Sequence, residues 1–187
     1  MAVDATKPYD DQNIFAKILR GEAPCAKIFE NDDVIAFMDI FPQSQGHCLV
    51  IPKNTTARNL LEFPADRLGT YFASVQKLTK AVTKAFNCDG VIVTQFNGAP
   101  AGQTVFHLHF HVIPRWEGQP LGQHLQVMTV ELGAARQVGH AVEGPDRARI
   151  LDPSSPADAR NAEGPPDARF LAAARTATDK QIYNRRS

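Results

Sequence analysis

The sequence has few cysteines, no net charge and no long apolar run. Its three cysteines form no Cys-x-x-Cys pair, which argues against a disulfide framework or a zinc ribbon and indicates a reduced chain. Twenty basic and twenty acidic residues cancel, so no overall charge attracts nucleic acid or an acidic membrane surface. No apolar run approaches the roughly 20 residues that cross a bilayer, and the polar start is unlike a signal peptide. We expect a soluble, cytoplasmic protein.

The chain divides into two unequal parts. Its 187 residues favour one domain plus an extension. Residues 12–117 carry clear apolar periods, whereas residues 118–187 are rich in proline, alanine and arginine. The second composition buries too little apolar surface to offset the entropy of ordering the backbone. We therefore predict a domain at 12–117 and a largely disordered extension at 118–187.

The order of apolar patterns predicts an α+β domain. The predicted elements are a helix around 14–19, strands at 26–30, 34–39 and 47–51, a long helix after Pro64, and strands in GVIVTQF and VFHLHFHVI. Strands with few helices between them favour an antiparallel sheet over a doubly wound parallel one. We expect a sheet of about five strands with two helices.

Three histidines alternate in the last predicted strand, at His107, His109 and His111. Alternate residues of a strand point to one face, so the strand would place the three rings together. Imidazoles are costly to bury without partners. Three of them on one face therefore indicate a functional site, whereas a single histidine would most often be structural.

Two chemistries compete for these histidines. A metal ion could bind two neighbours, because residues i and i+2 lie about 7 Å apart, but the outer pair is about 13 Å apart and cannot join without a bulge. Alternatively, a neutral imidazole attacks phosphorus while its neighbours orient it. No cysteine or carboxylate is spaced nearby as a further ligand, so metal binding is the second choice and we predict no metal.

The motif HLHFHVI resembles the His-x-His-x-His-x-x signature of the histidine triad (HIT) family of nucleotide hydrolases and transferases. The segments NIFAKILRGEAPCAKIFENDDVIAFMDIFPQSQGHCLVIPK and NGAPAGQTVFHLHFHVIPR are similar to the compact Hint branch of that family. The likeness covers about residues 12–117. It implies a HIT-like fold, no cofactor, and a homodimer joined through the long helix and a neighbouring strand.

The resemblance implies a catalytic role for five side chains. His109 would attack the α-phosphorus of a nucleotide and become transiently nucleotidylated. His107 and His111 would hold its tautomer and contact phosphate oxygens, with His47 as an outer member of the relay. Thr104 would supply a hydroxyl near the leaving group, through which a departing amine can be protonated.

The resemblance also implies a binding site for a purine nucleotide, with an AMP or GMP moiety. Asp39 would bind the ribose hydroxyls as an ionised acceptor. Gln103 matches a position where relatives place an amide near the phosphate, and Asn97 belongs to a glycine-rich loop whose backbone N–H groups could reach phosphate. The apolar slot for the base would be formed by Phe15, Ile18, Phe37 and Ile40.

Two positions depart from the family pattern. Asn13-Ile14-Phe15-Ala16 stands where some bacterial relatives have a zinc-binding Cys-x-x-Cys pair, so we expect that zinc site to be missing. Phe96 stands where many relatives have an Asn that contacts phosphate. A neighbouring amide, Gln95 or Asn97, would have to compensate for the lost contact.

These residues predict hydrolysis of nucleoside monophosphate phosphoramidates or related nucleotides through a nucleotidyl-histidine. Two alternatives remain open at this level. One is hydrolysis of dinucleoside polyphosphates, as in the Fhit branch, because the same triad supports attack at an α-phosphorus in both. The other is a purine-nucleotide-binding regulator with little turnover.

Overall fold

The computed structural model describes residues 7–120 and 132–142. The helices and strands in these ranges are α1 (Ile14–Leu19), β1 (Lys27–Glu30), β2 (Val34–Met38), β3 (Cys48–Pro52), α2 (Leu68–Phe86), β4 (Gly90–Thr94), β5 (Phe110–Arg115) and α3 (Leu132–Val142). Short 3-10 helices cover Leu60–Glu62, Ala65–Arg67 and Ala99–Ala101. The strands form one antiparallel sheet in the order β1-β2-β3-β5-β4. The predicted α+β class and five-stranded sheet are confirmed.

Local signals explain where the helices begin and end. The Asn13 side chain accepts the N–H of Ala16 at 2.9 Å and so caps the start of α1. Gly21, with φ +73°, follows the end of α1 and allows the chain to turn away. Asn87 ends α2 in the left-handed conformation. Both helices therefore follow from signals within a few residues of their ends.

Side-chain alternation divides the sheet into two covered faces. Ala36 and Val50 belong to the larger core, which packs against α2. Phe37 and Leu49 belong to a smaller cluster, which packs against α1. His111 lies directly opposite Leu49 in the β3–β5 register, and opposed residues share a face. The third histidine of the motif therefore lies on the α1 face.

The strand that carries the histidines is shorter than predicted. We predicted all three on one strand, but β5 begins at Phe110, so His107 and His109 precede it. The ladder with β3 begins at the pair Val50–Phe110, although β3 continues to Pro52 beside β2. The Pro52 carbonyl oxygen instead lies 3.0 Å from the His107 ring nitrogen Nε2. The predicted alternation nevertheless persists, because the His107 and His109 rings lie against Phe15 on the α1 side while Leu108 and Phe110 are buried in the larger core.

Close packing shapes the turn before His47. Gly46 has φ +77°, and a Cβ at this position would lie 2.4 Å from the Phe86 ring of α2. Both the backbone conformation and the missing side chain therefore require glycine. The turn that leads into His47 is thus packed against α2.

The predicted extension contains a helix that sequence analysis missed. Ala135, Val138 and Val142 of α3 are buried in the larger core, and α3 packs against α2 and β1. A short helix gains most of its stability from such packing rather than from its composition. The rest of the extension, 121–131 and 143–187, lies outside the described residues, and the predicted domain boundary stays a prediction. In the described ranges, no helix has the length and apolarity needed to cross a bilayer.

Candidate functional site

His109 is buried with one ring nitrogen hydrogen-bonded to the backbone. Its Nδ1 lies 2.7 Å from the carbonyl oxygen of His107, and only a protonated nitrogen can donate to a carbonyl. Nε2 of the neutral ring therefore carries the lone pair. Burial lowers the pKa of His109, and this effect outweighs the hydrogen bond to His107 and the charge of Asp39, which both raise it. The ring is neutral near pH 7 and is oriented as a nucleophile requires.

His107 is fully buried, and both of its ring nitrogens have protein partners. Nε2–H donates to the Pro52 carbonyl oxygen at 3.0 Å, and Nδ1 lies 2.6 Å from the hydroxyl of Tyr9. Burial lowers the pKa of His107 to about 4. His107 contributes to the orientation of His109 through its backbone carbonyl. In this arrangement its ring has no N–H available for the predicted contact with phosphate.

His47 and His111 form a pair. The backbone N–H of Gln43 donates to His47 Nδ1 at 3.1 Å, so the His47 proton is on Nε2. Nε2 lies 2.9 Å from His111 Nδ1, which must accept, and the proton of neutral His111 is therefore on Nε2. His47 is buried, while His111 is partly exposed. His47 thus contacts His111, and its outer role in the relay stays a prediction.

Asp39 follows β2 and lies beside the histidine pair. Its Oδ1 accepts the N–H of Phe41 at 2.8 Å, which fixes the carboxylate. Its Oδ2 lies 3.4 Å from Nδ1 of His47 and 3.9 Å from Nδ1 of His111. The structure thus brings Asp39 to the same end of the site as two of the four predicted catalytic histidines.

Asp39, His47 and His111 also form a candidate set of metal ligands. Their donor atoms lie within 4.8 Å of one another, and nitrogen and carboxylate donors suit zinc. However, the two histidine nitrogens that face each other already share a hydrogen bond. A metal ion that used these two nitrogens would have to replace that bond.

The predicted apolar slot is largely assembled on the α1 face. The Phe15 and Phe37 ring centroids lie 5.8 Å apart, and the Phe15 ring meets His109 edge-on at 4.9 Å. Ile18 packs against the same cluster. Ile40 is partly exposed and is not among the residues in this cluster. Three of the four predicted slot residues are therefore brought together beside His109.

The glycine-rich loop before the triad is held by its own amide side chains. Asn97 Oδ1 accepts the N–H of Leu60 at 3.1 Å. Gln103 is buried; its Oε1 accepts the N–H of Gly98 at 2.8 Å, and its Nε2 donates to two further carbonyl oxygens. Both side chains therefore hold the loop. In these hydrogen bonds, the partners of the two side-chain amides are backbone groups and not triad histidines.

Phe96 borders the site, and Thr104 lies just before the triad in the sequence. Thr104 is exposed at the start of the segment that leads into the triad. The Phe96 ring lies edge-on to His111, with centroids 5.5 Å apart. Phe96 therefore supplies an apolar wall beside the third histidine, where the expected amide would have offered a hydrogen bond. Gln95 does not compensate here, because its side chain donates to the carbonyl oxygen of Phe96.

The sequence analysis did not identify three of the groups that hydrogen-bond to the histidines. They are the hydroxyl of Tyr9, the carbonyl of Pro52 and the backbone N–H of Gln43. Two are backbone groups, which leave no mark in a side-chain pattern. Tyr9 precedes the predicted domain at 12–117, and nothing in the motif directs attention to it.

A five-stranded antiparallel sheet with an oriented, neutral histidine between two others defines a histidine triad protein. Residues 20–118 match the model of the HIT domain, and the chain belongs to this family. The chain is 44% identical over 103 residues to "Protein hit" of Bacillus subtilis, with 55% of this chain and 70% of the relative covered. It is 43% identical over 102 residues to the "Adenosine 5'-monophosphoramidase hnt1" of Schizosaccharomyces pombe, with 54% and 73% covered.

A solved structure agrees with the fold. A Hit-like protein from Bartonella henselae, described as involved in cell-cycle regulation and crystallised with an unknown ligand, superimposes with a TM-score of 0.68 at 49% identity. The match covers 72% of this chain and 99% of the other. The family resemblance drawn from the sequence is therefore confirmed.

Proposed function

We propose that the protein hydrolyses nucleoside monophosphate phosphoramidates, or closely related nucleotides, at the α-phosphorus. The observation that carries this proposal is the hydrogen bond from His109 Nδ1–H to the carbonyl of His107 at 2.7 Å. It leaves an uncharged Nε2 lone pair, which approaches an anionic phosphate without the repulsion that a carboxylate nucleophile would meet. The relative named as an adenosine 5'-monophosphoramidase supports an amine as the leaving group.

The reaction has two displacements. In the first, the bond from His109 Nε2 to phosphorus forms and the bond from phosphorus to the leaving nitrogen breaks, while the amine takes a proton from the side of Thr104. The imidazole becomes cationic, and the carbonyl of His107 stabilises the proton on Nδ1. In the second, water attacks phosphorus and the bond from His109 Nε2 to phosphorus breaks, while the water proton replaces the one that the amine took from the side of Thr104. Nucleoside monophosphate and neutral His109 are released.

The nucleotide is placed by the groups around His109. Asp39 binds the ribose hydroxyls with its carboxylate. The slot of Phe15, Ile18 and Phe37 takes the purine, and the Phe15 ring meets His109 at 4.9 Å, so base and phosphorus lie on one face of the sheet. Ile40 borders the slot from its more exposed position. Asn97 and Gln103 act by holding the loop that presents backbone N–H groups and Thr104.

We extend the proposal to a homodimer formed at the β4 edge. β4 is a terminal strand of the sheet, and Val93 on it is 41% exposed. Phe72 on α2 is 42% exposed, and Val93 lies opposite the core residue Val112, so both project on the α2 side. An unpaired edge beside exposed apolar side chains favours pairing with a second copy.

A direct competition between substrates tests the function. The EDTA-treated protein is offered adenosine 5'-phosphoramidate and a diadenosine polyphosphate at equal concentration, and the products are separated chromatographically. We expect AMP from the amidate with the dinucleotide spared. Preference for the dinucleotide would move the protein to the Fhit-like activity, and AMP binding without turnover of either compound would make it a regulator.

A variant isolates the nucleophile. His109→Ala removes Nε2 and is expected to abolish turnover while AMP binding persists. His140→Ala, on the exposed side of α3, is the matched control and is expected to retain both. Equal loss of binding and turnover in His109→Ala would contradict the nucleophilic role.

A further inference from the structure

A tyrosine outside the matched family region contacts the first histidine of the triad. The Tyr9 hydroxyl lies 2.6 Å from Nδ1 of His107, with ring centroids 5.8 Å apart. Tyr9 lies before both the predicted domain at 12–117 and the matched residues 20–118. The Tyr9 ring is only partly exposed, although the segment lies near the start of the chain.

Several contacts hold this N-terminal segment in place. The guanidinium of Arg58 donates to the carbonyl of Lys7. Asn13, the cap of α1, donates through its side chain to the carbonyl of Asp10 at 2.6 Å. The carbonyl of Arg58 in turn accepts from Gln103 at 2.6 Å. The segment that carries Tyr9 is therefore fastened to α1 and to the loop that precedes the triad.

The hydroxyl completes one tautomer of His107. The Pro52 carbonyl requires a proton on Nε2, so Nδ1 of the neutral ring is an acceptor and the Tyr9 hydroxyl donates to it. Without the hydroxyl, Nδ1 would be a buried acceptor with no partner, which is costly. The ring could then rotate or move its proton to recover a hydrogen bond. With Tyr9 present, a single ring orientation satisfies both nitrogens.

The orientation of His107 bears directly on His109. The backbone carbonyl of His107 accepts Nδ1–H of His109 at 2.7 Å, and the anchoring of the His107 ring at both nitrogens restrains the residue that bears this carbonyl. The hydrogen bonds thus run in order from Tyr9 to His107 and from His107 to the nucleophile. Tyr9 contacts His107 and acts on His109 through it.

We propose that Tyr9 is a positioning residue of the active site: its hydroxyl fixes the tautomer and orientation of His107 and thereby the carbonyl that orients His109. The effect on turnover rests on the proposed function of His109 as the nucleophile. The effect on the histidine tautomers does not, because it depends only on hydrogen bonds within the protein.

Tyr9→Phe is the test, because it removes the hydroxyl and keeps the ring. Tyr71→Phe is the matched control: Tyr71 is buried against the larger core, and its hydroxyl donates to the carbonyl of Val50 at 2.8 Å. Each variant is measured for kcat and KM with adenosine 5'-phosphoramidate, for thermal stability, and for the tautomers of His107 and His109 by ¹⁵N NMR of the imidazole nitrogens.

We expect Tyr9→Phe to lower kcat about fivefold to tenfold, as for one lost hydrogen bond, with KM changed less than about twofold. The ¹⁵N spectrum should show His107 leaving the pure Nε2–H form and the Nδ1 resonance of His109 shifting. Tyr71→Phe should change neither spectrum nor kcat, whatever its effect on stability.

The proposal and the function fail in different ways. Unchanged tautomers of both histidines in Tyr9→Phe would overturn the role of Tyr9, even if kcat fell together with stability. If the wild-type protein turned over no substrate, the hydrolase function would fail, while shifted His107 and His109 resonances in Tyr9→Phe would still support the positioning role. A fall in kcat without any change in the ¹⁵N spectrum would mark Tyr9 as a structural residue only.

Discussion

Nε2 of His47 lies 2.9 Å from Nδ1 of His111 and joins the turn before β3 to strand β5. Because the backbone N–H of Gln43 occupies the other nitrogen of His47, this bond places the proton of neutral His111 on Nε2. His109 is oriented by a backbone carbonyl and His111 by a second histidine. The tautomers of His109 and His111 are therefore each set by a hydrogen bond to a buried residue.

Acid should destabilise the protein through His107. Its pKa is lowered from 6.5 to about 4, so the unfolded chain binds a proton between these pH values while the folded chain does not. Above pH 6.5 the protonation of His107 does not lower the free energy of unfolding, and the loss grows as the pH falls toward 4. By linkage the loss is about 3 kcal/mol. Urea unfolding at pH 7, 5.5 and 4 measures it.

A variant separates His107 from the other titrating groups. His107→Asn removes the buried imidazole, and its free energy of unfolding should depend less on pH in this window. His140→Asn, on the exposed side of α3, should leave the wild-type pH dependence intact. Equal pH dependence in the wild type and in His107→Asn would contradict the assignment.

Asp39→Asn should weaken nucleotide binding. The amide oxygen can still accept the N–H of Phe41, so the turn is kept, but the charged acceptor for the ribose hydroxyls is lost. Hydrogen bonds to a charged group predict an increase in the Kd of AMP of about 10- to 100-fold. Titration calorimetry measures it, with Asp32→Asn in the exposed β1–β2 turn as control. An unchanged Kd would remove Asp39 from the ribose site.

Gln103→Ala should act on loop stability rather than on phosphate recognition. The substitution removes the acceptor for Gly98 N–H and two donors from a buried position. We expect a loss of about 3 kcal/mol in the free energy of unfolding, compared with little for Gln76→Ala on the exposed side of α2. The ratio of AMP to adenosine affinity should stay constant; a selective loss of AMP affinity would instead support the phosphate contact predicted from the sequence.

Phe72→Glu should disrupt the proposed dimer. A carboxylate in an apolar interface would be buried without a partner, so the variant should elute as a monomer where the wild type elutes as a dimer. Light scattering after size-exclusion chromatography measures the mass. Leu61→Glu changes another exposed apolar side chain, 68% exposed and distant from β4 in sequence, and should remain dimeric. A wild-type monomer at micromolar concentration would contradict the dimer itself.

Much of the fold was predictable because its signals are local. The cap at Asn13, the spacing of apolar residues in α2 and the turn between β1 and β2 each act within a few residues, and all five strands were predicted. Strand ends were less accurate, since pairing decides them. β5 begins at Phe110, after His107 and His109, and no pattern within the motif reveals where its pairing with β3 begins.

The candidate site was likewise predictable from the sequence only in part. The alternating motif singled out His107, His109 and His111, and the family likeness directed attention to His47 and Asp39, which the structure brings to the same face. The amides behaved differently: the glycine-rich loop indicated that Gln103 faces phosphate, whereas its side chain is engaged with the loop backbone. A side chain's residue type says what bonds it can form, and only the fold says which partners are within reach.

By itself, the sequence determined the family, the class of fold and the histidines, because these depend on residue types at short spacing. The tertiary structure decided which nitrogen of each histidine carries the proton. That choice rests on partners distant in sequence, such as Tyr9 and His107, which are 98 residues apart. A proton moves to whichever nitrogen faces an acceptor, and in this protein the acceptors and donors are brought to the rings only when the chain has folded.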